Sequence, residues 1–240
     1  MSLRFIIHSG KSKVLMGLFF LMLCAGCGGG SRELPLDRIK TSLKDVPTYS
    51  IVLEDMKEEG NFVKTFFHRY RVVSGEQTQT TDWVQVPENY YRKNENFLGM
   101  SLISKKDGVE NSTAAPPGYD FVGDSRYGRW TQDRHGNSFW EFYGKYALFT
   151  SLFGGWYRPI YMNDYNDYTR YRSRSRNTPY FGRNRQYGTS GTIAGTVKPG
   201  FYDRQKIRQR AKQQSFSNKV SKRIGRTRTN YRSRAGGLGK

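Results

Sequence analysis

Between positions 34 and 46, apolar residues fall at Leu36, Ile39, Leu43 and Val46. Intervals of three and four mark one face of a helix, and Pro35 suits a first helical turn. A short helix is therefore predicted there. Beyond Pro47 the period changes. "YSIVLEDMK" and "NFVKTFFHRYRVV" are rich in β-branched and aromatic residues and are separated by "EEG", which predicts a hairpin. In its second strand Phe62, Phe66, Tyr70 and Val72 fall on one face, Arg69 and Arg71 on the other. "TDWVQV", ended by Pro87, and "NFLGMSLIS", followed by the turn "KKDG", are two more predicted strands, and "NSTAAPPG" is a loop.

"RYGRWTQDRHGNSFWEFYGKY" predicts a second hairpin, with strands over 127–132 and 138–143 and "DRHGN" as its turn. Trp130 and Trp140 would pair across it and bury large areas as core aromatics rather than as a ligand platform. From Phe139 on into "YALFTSLFGGWY" the aromatics Phe139, Phe142, Tyr146, Phe149, Phe153 and Trp156 recur at three and four. That spacing predicts a buried helix, although a strand running through Tyr143 would cancel it. These elements give an α+β fold: a mostly antiparallel β body over 34–156 with a short N-terminal helix.

From 157 onward the apolar pattern fades. Aliphatics are few, and Arg, Tyr, Ser and Gly are many. Such a segment buries too little apolar surface to offset the entropy of ordering, so residues 157–240 are expected to form a basic tail, largely disordered. The exception is 201–226. Ile207 and Ala211 are four apart, and so are Phe216, Val220 and Ile224. Asp203 near the start and Lys222 and Arg223 near the end suit the helix dipole. The pattern is that of a weakly amphipathic basic helix, of the kind that forms on contact with a partner.

Charge sharpens this division. The chain of 240 residues carries a net +20, but unevenly. Residues 28–150 hold 16 basic against 17 acidic side chains, whereas residues 151–240 hold 21 basic against three acidic, Asp164, Asp167 and Asp203. The last third is a polycation. Arginine makes bidentate contacts to phosphate and carboxylate and stacks on aromatic planes. Arg170, Arg172, Arg174, Arg176, Arg183, Arg185, Arg208, Arg210, Lys222 and Arg223 are the expected polyanion-binding residues. Tyr161, Tyr165, Tyr168, Tyr171, Tyr180 and Tyr187 are placed to stack on sugars, bases or the arginines themselves. The fragments "RSRSR" and "RAGG" resemble the tails of nuclear RNA-binding proteins, but they are short and of low specificity. In a cytoplasmic protein the segment would imply single-stranded RNA binding.

The N-terminus redirects that reading. Arg4, Lys11 and Lys13 precede the apolar run 14–23, which is long enough for a signal peptide and short of the ~20 residues that span a bilayer. Then come Cys24-Ala25-Gly26-Cys27 and Gly28-Gly29-Gly30-Ser31. This resembles the signal sequence of bacterial lipoproteins, with Cys24 standing where that family usually has leucine. The resemblance implies cleavage after residue 26, acylation of Cys27 and a lipidated tether over 27–33. Several acyl chains give stable anchoring where one does not. Gly28, rather than Asp, resembles the pattern of outer-membrane destination in two-membrane bacteria. The implied location is the cell envelope, lipid-anchored, on the periplasmic face of the outer membrane where the host has two membranes. Both cysteines lie within the first 27 residues. The exported body therefore has no disulfide, thiolate nucleophile or Cys-based metal site.

Little chemistry is encoded beyond this. His8 leaves with the signal, and His68 lies on the face of Phe66 and Tyr70 and reads as structural. His135 sits in a turn beside Asp133, with Glu141 six residues on, a base and two carboxylates that a hairpin would bring near one another. No serine stands in a G-x-S-x-G motif to complete them. "NDYNDY" offers oxygen ligands but lacks the glycine and terminal glutamate of a calcium loop and reads as a solvated turn. "GTSGTIAG" lacks the lysine of a phosphate loop. No catalytic residue, metal or cofactor is predicted. The expected protein is a non-catalytic, lipid-anchored envelope component. Its basic tail would bind or organise anionic envelope polymers or lipid headgroups, or dock a partner. A nucleic-acid-binding surface protein and an envelope enzyme built on Asp133, His135 and Glu141 are the alternatives.

Overall fold

The computed structural model describes residues 33–74, 77–149, 151–152 and 156–227. Its architecture is α+β, and its sheets are antiparallel. The helical spacing near the start produces α1 (Pro35–Ser42). The two β-branched runs form the hairpin of β1 (Tyr49–Glu59) and β2 (Thr65–Ser74), paired from Tyr49↔Ser74 to Glu59↔Thr65. With β3 (Gln77–Thr80), β4 (Val84–Val86), β5 (Ser101–Lys106) and β6 (Val109–Asn111) they make a six-stranded sheet ordered β3-β2-β1-β5-β6, in which β4 also pairs with β2. β3 takes the Arg71–Ser74 end of β2 and β4 takes the Phe66–His68 end.

Alternation decides what this sheet buries. Phe66, His68, Tyr70 and Val72 are buried at every second position, with Arg69 and Arg71 between them. Phe62 leaves this set. The strand begins only at Thr65, and Phe62 stands fully exposed in the turn, so strand parity does not reach it. The predicted strand over 96–104 is likewise shorter. Residues 97–100 turn through Gly99 at φ +75°, and β5 starts at Ser101. After Pro87, α2 (Glu88–Asn94) buries Tyr90 and Tyr91, with the Tyr91 ring 5.0 Å from Phe66 and 5.2 Å from His68. A bulge between Leu53 and Asp55 breaks the β1 register. It leaves Glu54 unopposed by any residue of β2.

The second hairpin also forms. β7 (Gly128–Gln132) and β8 (Ser138–Phe142) pair Trp130 with Trp140, rings edge-on at 5.2 Å, and Trp140 is buried. Gly128 permits this packing, because a Cβ there would lie 2.4 Å from the Glu141 carbonyl oxygen and 2.6 Å from Trp140 Nε1. The predicted helix that would follow does not form. Phe139 and Phe142 belong to β8, so the three-and-four spacing counted strand residues as helical ones. A 3-10 turn (Gly144–Phe149) comes next, then the two-residue strands β9 (Ser151–Leu152) and β10 (Trp156–Tyr157). β11 (Ile160–Tyr161) adds to β8 as the third strand of this sheet.

The last third departs most from expectation. A helix forms almost where one was predicted, α5 (Pro199–Thr227), but the residues before it are folded as well. "NDYNDY" lies within α3 (Met162–Arg174) and is not a solvated turn. α4 (Thr192–Val197) follows, with Ile193 and Ala194 buried. Tyrosine supplies the core that aliphatics do not. Tyr168, Tyr180 and Tyr187 are buried around Tyr119 of the body, at ring distances of 5.4, 6.0 and 6.0 Å. Two of their hydroxyls are satisfied by carboxylates, Tyr168 donating to Asp120 at 2.5 Å and Tyr180 to Asp167 at 2.7 Å. The Gly188-Thr189 corner fastens the segment down. Thr189 N–H donates to the Asn96 carbonyl (3.1 Å), and its hydroxyl donates to the Glu95 carbonyl (2.5 Å) while accepting from Leu98 N–H (3.2 Å). A Cβ on Gly188 would lie 2.6 Å from that Asn96 oxygen.

Candidate polyanion-binding surface

The acids of the balanced body are concentrated. Glu54, Asp55, Glu58 and Glu59 all lie on β1, and Glu88 and Glu95 lie in or beside α2. Each attracts cations. The bulge residue Glu54 is buried and is held by Arg69 at 3.4 Å and by Arg71. The Glu58 side chain, 5% exposed, meets Lys64 (3.1 Å), Arg92 (3.2 Å) and Arg208. Burial works against its charge, yet these three cations outweigh burial and hold its carboxyl below the usual range. Asp55 is met by Arg69 (3.6 Å) and by Lys198. Glu95 is met by Arg92 (3.4 Å) and Lys212 (3.6 Å).

The C-terminal third therefore meets its first polyanion inside its own chain. This divides the expected binding residues. Arg208 is committed to Glu58. Arg172 is structural: its guanidinium lies 5.4 Å over the Tyr168 ring, and it donates to the Tyr168 hydroxyl (3.2 Å), the Arg176 carbonyl (2.8 Å) and the Thr113 carbonyl (3.0 Å). Arg170 and Arg174 on α3, Arg176 just beyond it, and Arg183 and Arg185 in the following loop are exposed. Arg185 adopts φ +50° and lies 5.8 Å from the Phe181 ring. Arg210, Lys222 and Arg223 are exposed on α5. Sequence reasoning did not single out Lys198 and Lys212. Their signal was present in "LEDMKEE", an acid-rich strand that needs counter-charges from elsewhere in the chain.

α5 begins docked and ends exposed. Phe201 and Gln205 are buried, and Gln209 donates to the Ser190 hydroxyl at 3.0 Å. From Gln209 to Arg223 every residue is exposed. No acid follows Asp203 in the sequence. This stretch is a helix of cations and neutral polar residues interrupted by Phe216 and Val220.

At the second hairpin both carboxylates of the sequence-derived set are held by neighbouring groups. Asp133 accepts backbone N–H groups from Asn137 and His135, both at 2.9 Å, and the bonds from Asn137 and His135 hold its carboxyl below the usual range. It is the cap of a turn. Glu141 is paired with Arg129 at 2.7 Å. His68 is fully buried, its Nδ1 lying 2.9 Å from the Tyr70 hydroxyl, and burial lowers its pKa to about 4. A groove of about 460 Å³ beside α3 is lined by residues that include Lys106, Asn111, Asp120, Tyr165, Tyr168 and Arg172. Several of its polar groups are already engaged: Asn111 donates to Asp120 at 3.0 Å and Arg172 to the Tyr168 hydroxyl at 3.2 Å, while Lys106 pairs at 3.2 Å with Asp124, which is not part of the lining. No histidine or cysteine lines it. Among the described residues, no group of three His, Cys, Asp or Glu side chains is placed to hold a metal ion. No helix among them is long and apolar enough to cross a membrane. Cys27 and the lipoprotein-like signal lie outside the described residues. Comparison of the chain with protein-family models, curated proteins and solved structures returns no match.

Proposed function

We propose that this chain is a non-catalytic, lipid-anchored protein of the bacterial cell envelope that holds anionic envelope polymers or lipid headgroups on a helical cationic arm. The arm is the exposed stretch of α5, with the outward arginines of α3 and the following loop as auxiliary contacts. One observation carries the reading. After Arg208 and Lys212 engage Glu58 and Glu95, α5 continues through Lys219, Lys222 and Arg223 with no acid on it and no side chain buried. Cations in such a position attract a polyanion by about 1 kcal/mol each near a charged surface, falling off within a Debye length. The anchor rests on the pattern of residues 14–31 and on Cys27.

Two measurements test this. Labelled fatty acid should enter the parent chain and be absent from Cys27→Ser. Incorporation into the mutant would show that Cys27 is not the acylation site. Binding of inorganic polyphosphate across a salt series should weaken when Lys219, Lys222 and Arg223 are changed to Gln, with the slope of log K on log salt falling by roughly one per cation removed. An unchanged slope would remove the arm.

A further inference from the structure

We infer that the exposed stretch of α5 and the tip of the β1–β2 hairpin together form a docking surface for an anionic lipid bilayer. This rests on the reading of α5 as a cationic arm and narrows its partner to one class.

The ion pairs fix the course of the helix. Lys198 meets Asp55, and Arg208 meets Glu58. Ten helical residues, about 15 Å, thus run along three residues of β1, about 10 Å, toward Gly60, where the hairpin turns. Past that point α5 leaves the sheet. At the same end the hairpin tip presents Phe62, 102% exposed, and Val63, 82% exposed. On the departing helix Phe216 is 71% exposed and Val220 38%. Large apolar side chains with nothing covering them, two on the hairpin tip and two on the helix that runs toward it, mark an interaction surface rather than scattered surface hydrophobes.

The charges around them select the partner. Lys219 and Arg223 stand at +3 and +7 from Phe216, with Val220 at +4, so cations and apolar groups share one stripe of the helix. The acids at the tip are already paired, Glu58 with Lys64, Arg92 and Arg208, and Glu59 with Lys57 at 2.6 Å. A hydrated polymer offers phosphates to the cations but no apolar phase to the valines. A nucleic acid offers bases on which Phe216 would stack, but again nothing for Val63 and Val220. An anionic bilayer interface satisfies both sets at once: headgroup phosphates for the lysines and arginine, acyl chains for the phenylalanines and valines.

The test uses the full chain carrying Cys27→Ser, so that no acyl group contributes and the N-terminal apolar run is common to every variant. Binding is measured to phosphatidylglycerol–phosphatidylcholine vesicles, to inorganic polyphosphate and to single-stranded DNA. Phe216→Ser with Val220→Ser, and separately Phe62→Ser with Val63→Ser, should each weaken vesicle binding about tenfold and change polyphosphate and DNA binding by less than about twofold. All four side chains are exposed, so the fold is retained, and a thermal melt verifies it. Changing Lys219, Lys222 and Arg223 to Gln should weaken all three. Vesicle binding that is unaffected by the serine variants but lost with the glutamine variant would overturn the lipid inference and leave the cationic arm standing. A glutamine variant that binds like the parent would overturn the arm itself. An equal loss of DNA binding with Phe216→Ser would assign the ring to base stacking and also overturn the inference.

Discussion

From Pro199 to Lys212, α5 carries Arg204, Lys206, Arg208, Arg210 and Lys212; from Gln213 to Thr227 it carries Lys219, Lys222, Arg223 and Arg226. The two halves are alike in composition and opposite in surroundings. The first half buries Phe201 and Gln205 and sets Arg208 and Lys212 against Glu58 and Glu95. The second half, through Arg223, buries nothing. Composition therefore does not decide whether a cation of this chain is docked or exposed. β1 and the end of α2 supply carboxylates to the first half of the helix, at Arg208 and Lys212.

The largest contrast should come from the aromatic packing that brings the docked half to the sheet. Tyr168→Ala removes a buried ring from the Tyr119–Tyr180 cluster and the hydroxyl bonded to Asp120. It should cost about 3–5 kcal/mol in urea unfolding. Phe216→Ala on the exposed half should change stability by less than about 0.5 kcal/mol. Equal effects would erase the distinction.

Acid should loosen the docked half next. His68 lies beneath Tyr90 and Tyr91 of α2, at 5.7 and 5.2 Å. Burial lowers its pKa from 6.5 to about 4. Between those values the unfolded chain binds a proton that the folded chain does not. Stability is thus fully present above about 6.5 and falls as pH drops toward 4, by up to roughly 3 kcal/mol. His68→Phe should flatten that part of the pH–stability curve. An unaltered slope in the mutant would assign the loss to other groups.

The smallest contrast compares two neutralisations on one helix. Arg208→Gln removes a partner of nearly buried Glu58 and should cost about 1–3 kcal/mol. Lys222→Gln should cost less than about 0.5 kcal/mol. Thermal melts of the pair measure the difference directly.

Much of the body was legible because its signals are local. The β1–β2 hairpin followed from β-branched runs around "EEG". The Trp130–Trp140 pair followed from aromatic strands around "DRHGN". α5 lies within two residues of the predicted start of its helix. The failures have physical causes. Periodicity around Tyr146 mixed strand residues with those that follow. Phe62 was assigned by a parity that does not extend beyond the strand. Residues 157–200 read as unable to fold because aliphatics are few there, whereas Tyr168, Tyr180 and Tyr187 form a core with Tyr119, which lies 49 or more residues away from each in the chain. The binding residues were visible as a set, but not their division. Which arginine is committed depends on groups that the fold brings near it, the β1 carboxylate Glu58 for Arg208 and the Thr113 carbonyl for Arg172.

Native-state hydrogen exchange read peptide by peptide tests the central division most directly. Amides of α3, of the Gly188-Thr189 corner and of α5 through Lys212 should be protected together with β1 and β2, as parts of one cooperative unit, while those from Gln213 to Thr227 exchange far sooner. Exchange of residues 162–205 at the rate of an unstructured chain, with β1 and β2 still protected, would contradict it.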